Sequence, residues 1–238
     1  MIAVLDYGRG NIFSLSRALE HVGADHVVTC DPDRLMDADG IVLPGVGAFR
    51  DAMNRLSERV LDEAIKTAAG RGVPLLGICL GMQLLFERST EFGEHPGLGL
   101  IPGDVDRLPR GAPGAPRVRI PNVGWRKGSP RAPHPMTHAL APKDMVYFVH
   151  SYVPYPEDPR DILASLPING IEAAVMVARG NVVGCQFHPE RSGPVGLRIL
   201  GAFVEATEAR RPARRPAQAT AQGRGPRIEQ SQALVLHS

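Results

Sequence analysis

Val73-Pro74-Leu75-Leu76-Gly77-Ile78-Cys79-Leu80-Gly81-Met82-Gln83 is the stretch on which the reading of this chain turns. Its first six residues are short, apolar and bounded by glycine and proline, the pattern of a strand buried on both faces. Helical character follows at once, from Gly81 to Arg88, so strand passes into helix with no loop between them. A cysteine at such a turn, with glycines two residues before and two after, has the context of a nucleophile elbow. The glycines relieve crowding and leave the side chain exposed at the apex. A helix starting behind Cys79 offers unpaired N–H groups and a positive dipole end, and both favour thiolate over thiol. A thiol ordinarily near 8.5 can fall to roughly 3.5 to 7.5 in such surroundings. The plainer reading of Cys79 is a small core residue, and the paired glycines at a strand-to-helix turn weigh against it. Cys30 and Cys185 have no such context and are read as structural.

Working toward the N-terminus, strand-like and helix-like patterns alternate as in a parallel sheet covered by helices. Ile2 to Leu5 reads as a strand, and Ile12, Leu15, Leu19 and Val22 as the apolar face of a helix that stops at Gly23. His26 to Thr29 and Gly40 to Leu43 read as further strands, and Ala48 to Ala69 as helical. The fold class expected is α/β, a single open, mixed and mostly parallel sheet flanked by helices.

Working toward the C-terminus, the texture changes at Leu98 to short β-like segments: Val105 to Leu108, Met145 to His150, Ile162 to Leu166, Ala173 to Ala178 and Asn181 to Phe187. Their period-two alternation suggests antiparallel additions to the same sheet. Pro194 to Ala209 reads as a closing helix. One domain is expected over residues 1–209. Residues 210–238, rich in Arg, Pro, Ala and Gln with little to bury, are expected to be a disordered tail.

Composition limits the function classes. The formal charge of +2 conceals a tail with six arginines and one acid, so the preceding body is net acidic. A nucleic-acid partner would have to rest on that tail alone, and a solvated extension is the reading preferred. No apolar run approaches the roughly 20 residues needed to span a bilayer. The start, Met1 to Asp6, lacks the basic and small-residue features of a secretory signal, and three unclustered cysteines suit a reducing compartment. A cytoplasmic protein with no membrane contact and no metal or other cofactor is expected.

A thiolate attacking an amide needs a proton shuttle, and the shuttle needs an orienting group. Gln186-Phe187-His188-Pro189-Glu190 supplies both, since residues two apart in extended chain point to one side and Glu190 can then hold one tautomer of His188. Pro44-Gly45-Val46-Gly47 ends another predicted parallel strand and so lies on the same rim as Cys79. The Val46-Gly47 peptide and the amide of Leu80 are candidates for an oxyanion hole, where one donor is typically worth about 3 kcal/mol.

Taken together, Gly-Ile-Cys-Leu-Gly-Met-Gln, Gln-Phe-His-Pro-Glu and Pro-Gly-Val-Gly resemble the class I (triad) glutamine amidotransferases. Asp6-Tyr-Gly-Arg-Gly-Asn11, Pro121-Asn-Val-Gly-Trp125, Tyr147-Phe-Val-His-Ser-Tyr152 and His188-Pro-Glu-Arg-Ser-Gly193 narrow the resemblance to the glutaminase-subunit family of imidazole glycerol phosphate synthase, over residues 1 to about 206. That resemblance implies Cys79 as nucleophile, His188 as general base and acid, and Glu190 as its orienter. It implies that Gln83, Glu91, Ser151 and Tyr152 hold glutamine, the Glu91 carboxylate suiting an α-ammonium. It further implies a (β/α)₈-barrel cyclase partner, met through Asn11, Asn122, Trp125, Tyr147 and Arg191. The cyclase would combine the ammonia with a ribotide to give imidazole glycerol phosphate, for histidine synthesis, and aminoimidazole carboxamide ribotide. Position 191 is often lysine in the family, and arginine keeps the charge but not the shape.

Two other readings compete with this one. A glutaminase serving a different synthase would share the triad but not the Asp-Tyr-Gly-Arg-Gly-Asn and His-Ser-Tyr stretches. An inactive docking scaffold would have no reason to keep Cys79, His188 and Glu190 together. Gly8-Arg-Gly10 is no dinucleotide loop, because Phe13 occupies the third glycine position.

Overall fold

Strand β1 (Ile2–Leu5) is four apolar residues buried along their whole length. The chain leaves it through a Gly-rich turn into helix α1 (Ile12–His21), where the Asn11 side chain accepts from the Ser14 amide and caps the helix. Strand β2 (His26–Thr29), helix α2 (Pro32–Met36) and strand β3 (Gly40–Gly45) follow. The stretch expected to be helical, Ala48 to Ala69, holds two helices, α3 (Phe49–Ser57) and α4 (Leu61–Gly70), which part where Val60 takes a left-handed conformation. Strand β4 (Leu75–Cys79) then runs straight into helix α5 (Leu80–Leu84). The computed structural model that shows this describes residues 1–111 and 118–210.

Helix α5 corrects an expectation, since it ends at Leu84 rather than continuing to Arg88. The carbonyls of Leu84, Leu85 and Phe86 are taken by the amides of Leu98, Leu100 and Gly99 at 2.8 to 3.0 Å. A continuing helix would have spent those acceptors on itself, so the chain turns into strand β5 (Phe86–Ser89) instead. The dipole behind Cys79 is therefore that of a little more than one turn.

Beyond β5 come β6 (His95–Pro96), β7 (Ile101–Arg107), β8 (Asn122–Arg126), β9 (Ser129–Pro130) and α6 (Pro135–His138). They are followed by β10 (Val146–His150), β11 (Tyr152–Pro156), β12 (Ile162–Ile168), β13 (Ile171–Arg179), β14 (Val182–Cys185) and α7 (Gly193–Ala209). The main sheet has the order β2-β1-β3-β4-β14-β13-β12-β9, parallel from β2 through β14 and antiparallel thereafter. Of the later segments expected to be antiparallel additions to this sheet, β12 and β13 are, and the short β9 joins them at the edge. Strand β14 is parallel to β4, while β8 and β10 pair as a separate ribbon and β11, β7, β5 and β6 form a third sheet.

The parallel strands are apolar on both faces because helices cover both. Ala3, Leu5, Ile41, Leu43 and Leu75 face α3 and α4, packing with Phe49, Leu56, Leu61 and Ile65. Ile2, Val4, Val42, Leu76 and Ile78 face the other way, against Leu15 and Leu19 of α1 and Leu200 and Phe203 of α7. Each fully buried leucine or phenylalanine contributes about 1.5–3 kcal/mol, so the sheet that carries the turns is held from both sides.

Of the expected tail, residues 211–238 lie outside the described residues. Arg210 does not belong with them: it closes α7, and its guanidinium donates to the carbonyl of Arg71. Among the described residues no helix is long and apolar enough to cross a membrane.

Candidate active site

Register alone brings three loops together. Strands β3 and β14 flank β4, with Gly45 opposite Cys79 and Cys185 opposite Ile78, so the chain leaves all three strands at one carboxyl edge. The segments Val46-Gly47, Cys79-Leu80 and Gln186-Phe187-His188 emerge there, at the crevice where open α/β sheets bind ligands.

Cys79 sits at φ 55°, ψ −111°, a sparsely populated conformation for a residue with a β-carbon. It is held there by close backbone packing. A β-carbon on Gly77 would lie 2.7 Å from the Gly81 carbonyl oxygen, and one on Gly45 would lie 2.8 Å from the Gly81 amide nitrogen. Cys79 is buried, with 6% of its surface exposed, yet lines a cavity of about 280 Å³.

Nine of the ten residues expected to act on or hold glutamine line this cavity, all but Glu190: Cys79, His188, Val46, Gly47, Leu80, Gln83, Glu91, Ser151 and Tyr152. Glu190 stands behind His188, its Oε1 bonded to the ring Nδ1 at 2.8 Å with both side chains buried. The expected reason for that bond needs correction. Strand β14 ends at Cys185, and Glu190 reaches the ring from a 3₁₀ turn over Pro189–Arg191, not from an extended segment. Burial works against an imidazolium at His188, but Cys79 and Glu190 outweigh it and push the ring up to about 10. Nε2 of His188 has no hydrogen-bond partner of normal geometry. The Cys79 sulfur is within 3.9 Å of the Val149 carbonyl and 3.8 Å of Gln186 Nε2 instead.

Two of the expected glutamine-binding side chains are already engaged. Gln83 donates through Nε2 to the Tyr152 carbonyl (3.1 Å) and to Gln186 Oε1 (2.9 Å), which leaves its own Oε1, an acceptor, for a ligand. Glu91 accepts the Phe49 amide at 2.6 Å through Oε2 and so caps α3, whose own N-cap residue, Ala48, has no side chain to do it. The loop between β3 and α3 is thus tied at both ends, at Phe49 by Glu91 and at Pro44 by the buried Tyr7 hydroxyl, which donates to the Pro44 carbonyl at 2.9 Å. Between the ties, Val46 is 40% exposed and Gly47 adopts φ +102°, a left-handed conformation open to glycine.

The residues expected to face a partner divide. Asn11 and Arg191 are exposed, and Trp125 is 48% exposed. The Trp125 ring meets Tyr147 edge-on at 6.0 Å, and the Arg191 guanidinium lies over Tyr147 at 4.5 Å, making one continuous surface. Asn122 does not belong to it. Strand alternation turns Val123 and Trp125 outward and Asn122 inward, where it is fully buried and bonded to His150 Nε2 at 2.9 Å. Cys30 is exposed rather than structural, whereas Cys185 is buried with its thiol donating to the Phe187 carbonyl at 3.5 Å. Burial pushes the Cys185 thiol well above its ordinary value, which leaves it inert beside Cys79.

Sequence reasoning missed Tyr7, Gln186 and His150. Tyr7 and Gln186 stood inside quoted motifs, but only their burial and bonding reveal a task. His150 is buried, and desolvation lowers its pKa to about 4, the backbone bond to Tyr152 only partly opposing this. Its folded value lies below the ordinary 6.5, so between pH 6.5 and about 4 the unfolded chain takes up the proton and the native one does not. Stability is therefore lost as pH falls through that window, by roughly 3 kcal/mol. Urea unfolding at pH 6.5 and 4.5 should show a smaller acid loss in His150→Gln than in the unsubstituted protein; equal losses would contradict the assignment.

Fold and cavity define a class: α/β proteins with a cysteine at a strand-to-helix elbow and a carboxylate-held histidine on the same sheet rim. The class-I glutamine amidotransferase family matches residues 3–206. The imidazole glycerol phosphate synthase subunit HisH of Bacillus cereus (strain G9842) is 45% identical over 209 residues, which are 88% of this chain and 96% of that protein. The subunit of the same description from Moorella thermoacetica is 44% identical over 204 residues, 86% of this chain and 94% of that one. Among solved structures, PurLQS from Thermotoga maritima has a TM-score of 0.67 at 23% identity, covering 86% of this chain and 97% of that chain, a likeness of fold. The chain belongs to the class-I glutamine amidotransferases and, within them, to the family of the HisH subunits of imidazole glycerol phosphate synthase. Among the described residues no cluster of three His, Cys, Asp or Glu side chains could hold a metal ion.

Proposed function

We propose that this chain is the glutaminase subunit of imidazole glycerol phosphate synthase and that Cys79, His188 and Glu190 hydrolyse glutamine within it. The observation that carries the assignment of residues is the shared rim, with Cys79 and His188 lining one cavity and Glu190 bonded to His188 behind it. His188 takes the thiol proton through Nε2, and the sulfur attacks the carboxamide carbon of glutamine. The oxygen of the tetrahedral intermediate is received by the amides of Leu80 and of the Val46-Gly47 peptide. The C–N bond breaks as His188 returns its proton to the leaving nitrogen, releasing ammonia and leaving a thioester on Cys79. Water, deprotonated by His188, then attacks the thioester, glutamate departs and the thiol is restored. Glu190 holds the ring in the tautomer that keeps Nε2 toward the sulfur. Gln83 Oε1, Glu91 and the Ser151-Tyr152 backbone bind the amino-acid end of the substrate.

Residues 1–209 form the amidotransferase unit in this reading, and a cytoplasmic location goes with its unpaired cysteines. The partner is a (β/α)₈-barrel cyclase docking on Asn11, Trp125, Tyr147 and Arg191. Ammonia protonates and is lost in bulk water, so useful hydrolysis must be tied to docking. The short untied segment between Pro44 and Phe49 is suited to that, because Val46-Gly47 can turn while both ends stay fixed. Glutaminase turnover should be lowest for the chain alone, higher with cyclase, and highest with cyclase holding its nucleotide substrate. Equal rates in all three would remove docking control.

A further inference from the structure

Beneath the cavity runs a line of buried hydrogen bonds that the reaction as written does not use. Its outer end is Asn122, bonded to His150 Nε2 at 2.9 Å; His150 Nδ1 lies 2.8 Å from the Tyr152 carbonyl oxygen and donates to it. Gln83 Nε2 donates to that same carbonyl and also to Gln186 Oε1. These bonds fix the direction of every amide. A carbonyl oxygen can only accept, so the nitrogen of Gln83 must face Tyr152, and its second hydrogen then requires the oxygen of Gln186. The nitrogen of Gln186 is thereby left facing the Cys79 sulfur at 3.8 Å, from a residue with no exposed surface.

We propose that the Gln186 carboxamide is the hydrogen-bond donor that holds the Cys79 thiolate, its polarity set by Gln83. The inference rests on Cys79 being the nucleophile. With the proton on sulfur, the S–H points at the Val149 carbonyl (3.9 Å) while the sulfur accepts from Gln186. When the proton passes to His188 Nε2, the bond to Val149 is lost and the carbonyl repels the sulfur. The N–H of Gln186 meanwhile becomes a charge-assisted donor to it. The sulfur is left free to swing toward substrate with one donor still attached.

The test uses the full chain in a Cys30→Ser background, because Cys30 is exposed and would also react. Alkylation of Cys79 by iodoacetamide is followed against pH by peptide mapping, and glutaminase kinetics are measured in the cyclase complex. Gln186→Leu removes the donor; Gln186→Glu has nearly the same shape, still accepts from Gln83, and puts an acceptor against the sulfur. In Gln186→Leu the pH of half-maximal alkylation should rise by about one unit, and further in Gln186→Glu. Turnover kcat should fall about 10- to 100-fold with KM changed less than about threefold, the loss of one hydrogen bond to a charged group. An alkylation profile unmoved in both variants, whatever happens to kcat, would overturn the proposal. Alkylation that never reaches Cys79 in the Cys30→Ser parent would overturn the nucleophile itself, and the proposal with it.

Discussion

Cys79→Ala in the cyclase complex abolishes glutamine-dependent product formation, with kcat lower by about four orders of magnitude or more, while ammonium salts added at alkaline pH still support the cyclase. The size follows from the role: without sulfur there is no thioester, and the oxyanion donors and His188 cannot divide the reaction into two easier steps. The substitution leaves the β-carbon, so the strained turn at φ 55° is unchanged and docking should persist. Loss of both glutamine- and ammonia-dependent activity would mean that the chain contributes more to the complex than ammonia.

The largest effect on folding belongs to Gly81→Ala. The new β-carbon would lie 1.8 Å from the Leu43 carbonyl oxygen, a backbone atom of β3 that cannot move without breaking its pairing with β4. No rotamer relieves a contact made by a β-carbon, so the elbow must open or the sheet must shift, at a cost of roughly 4 kcal/mol or more. Gly201→Ala is the control, since nothing lies within 4 Å of its added carbon inside α7, and it should stabilise by about 0.5–1 kcal/mol. Urea midpoints separating the two by several kcal/mol are expected; similar midpoints would show that the β3–β4 contact is not what holds the turn.

Much of this was legible in the sequence because it depends on local pattern. The apolar runs at Ile2, Gly40 and Leu75 and the glycines around Cys79 report burial and backbone crowding directly, and the parallel order of the first four strands follows from their alternation with helices. Residues whose task depends on which face a strand turns inward were not legible in the same way. Asn122 and Trp125 stand three apart in one motif, and only the pleat separates a buried amide from a surface ring. The end of α5 is hidden because Phe86–Ser89 holds no helix-breaking residue of its own and the competing donors come from residues 98–101. Gln186 and Tyr7 were hidden for a related reason: a buried amide or phenol announces nothing until the atoms it bonds are known. Glu91 is expected from the sequence to bind glutamine, and its bond to the Phe49 amide adds that it also anchors the loop expected to form the oxyanion hole.

The most direct measurement is covalent trapping with a reactive glutamine analogue such as a diazoketone, followed by mass spectrometry of the digested chain taken from the cyclase complex. One adduct per chain, on the peptide containing Cys79 and suppressed by excess glutamine, is the result this account predicts. An adduct on Cys30 or Cys185, or full glutaminase activity with Cys79 unmodified, would contradict it.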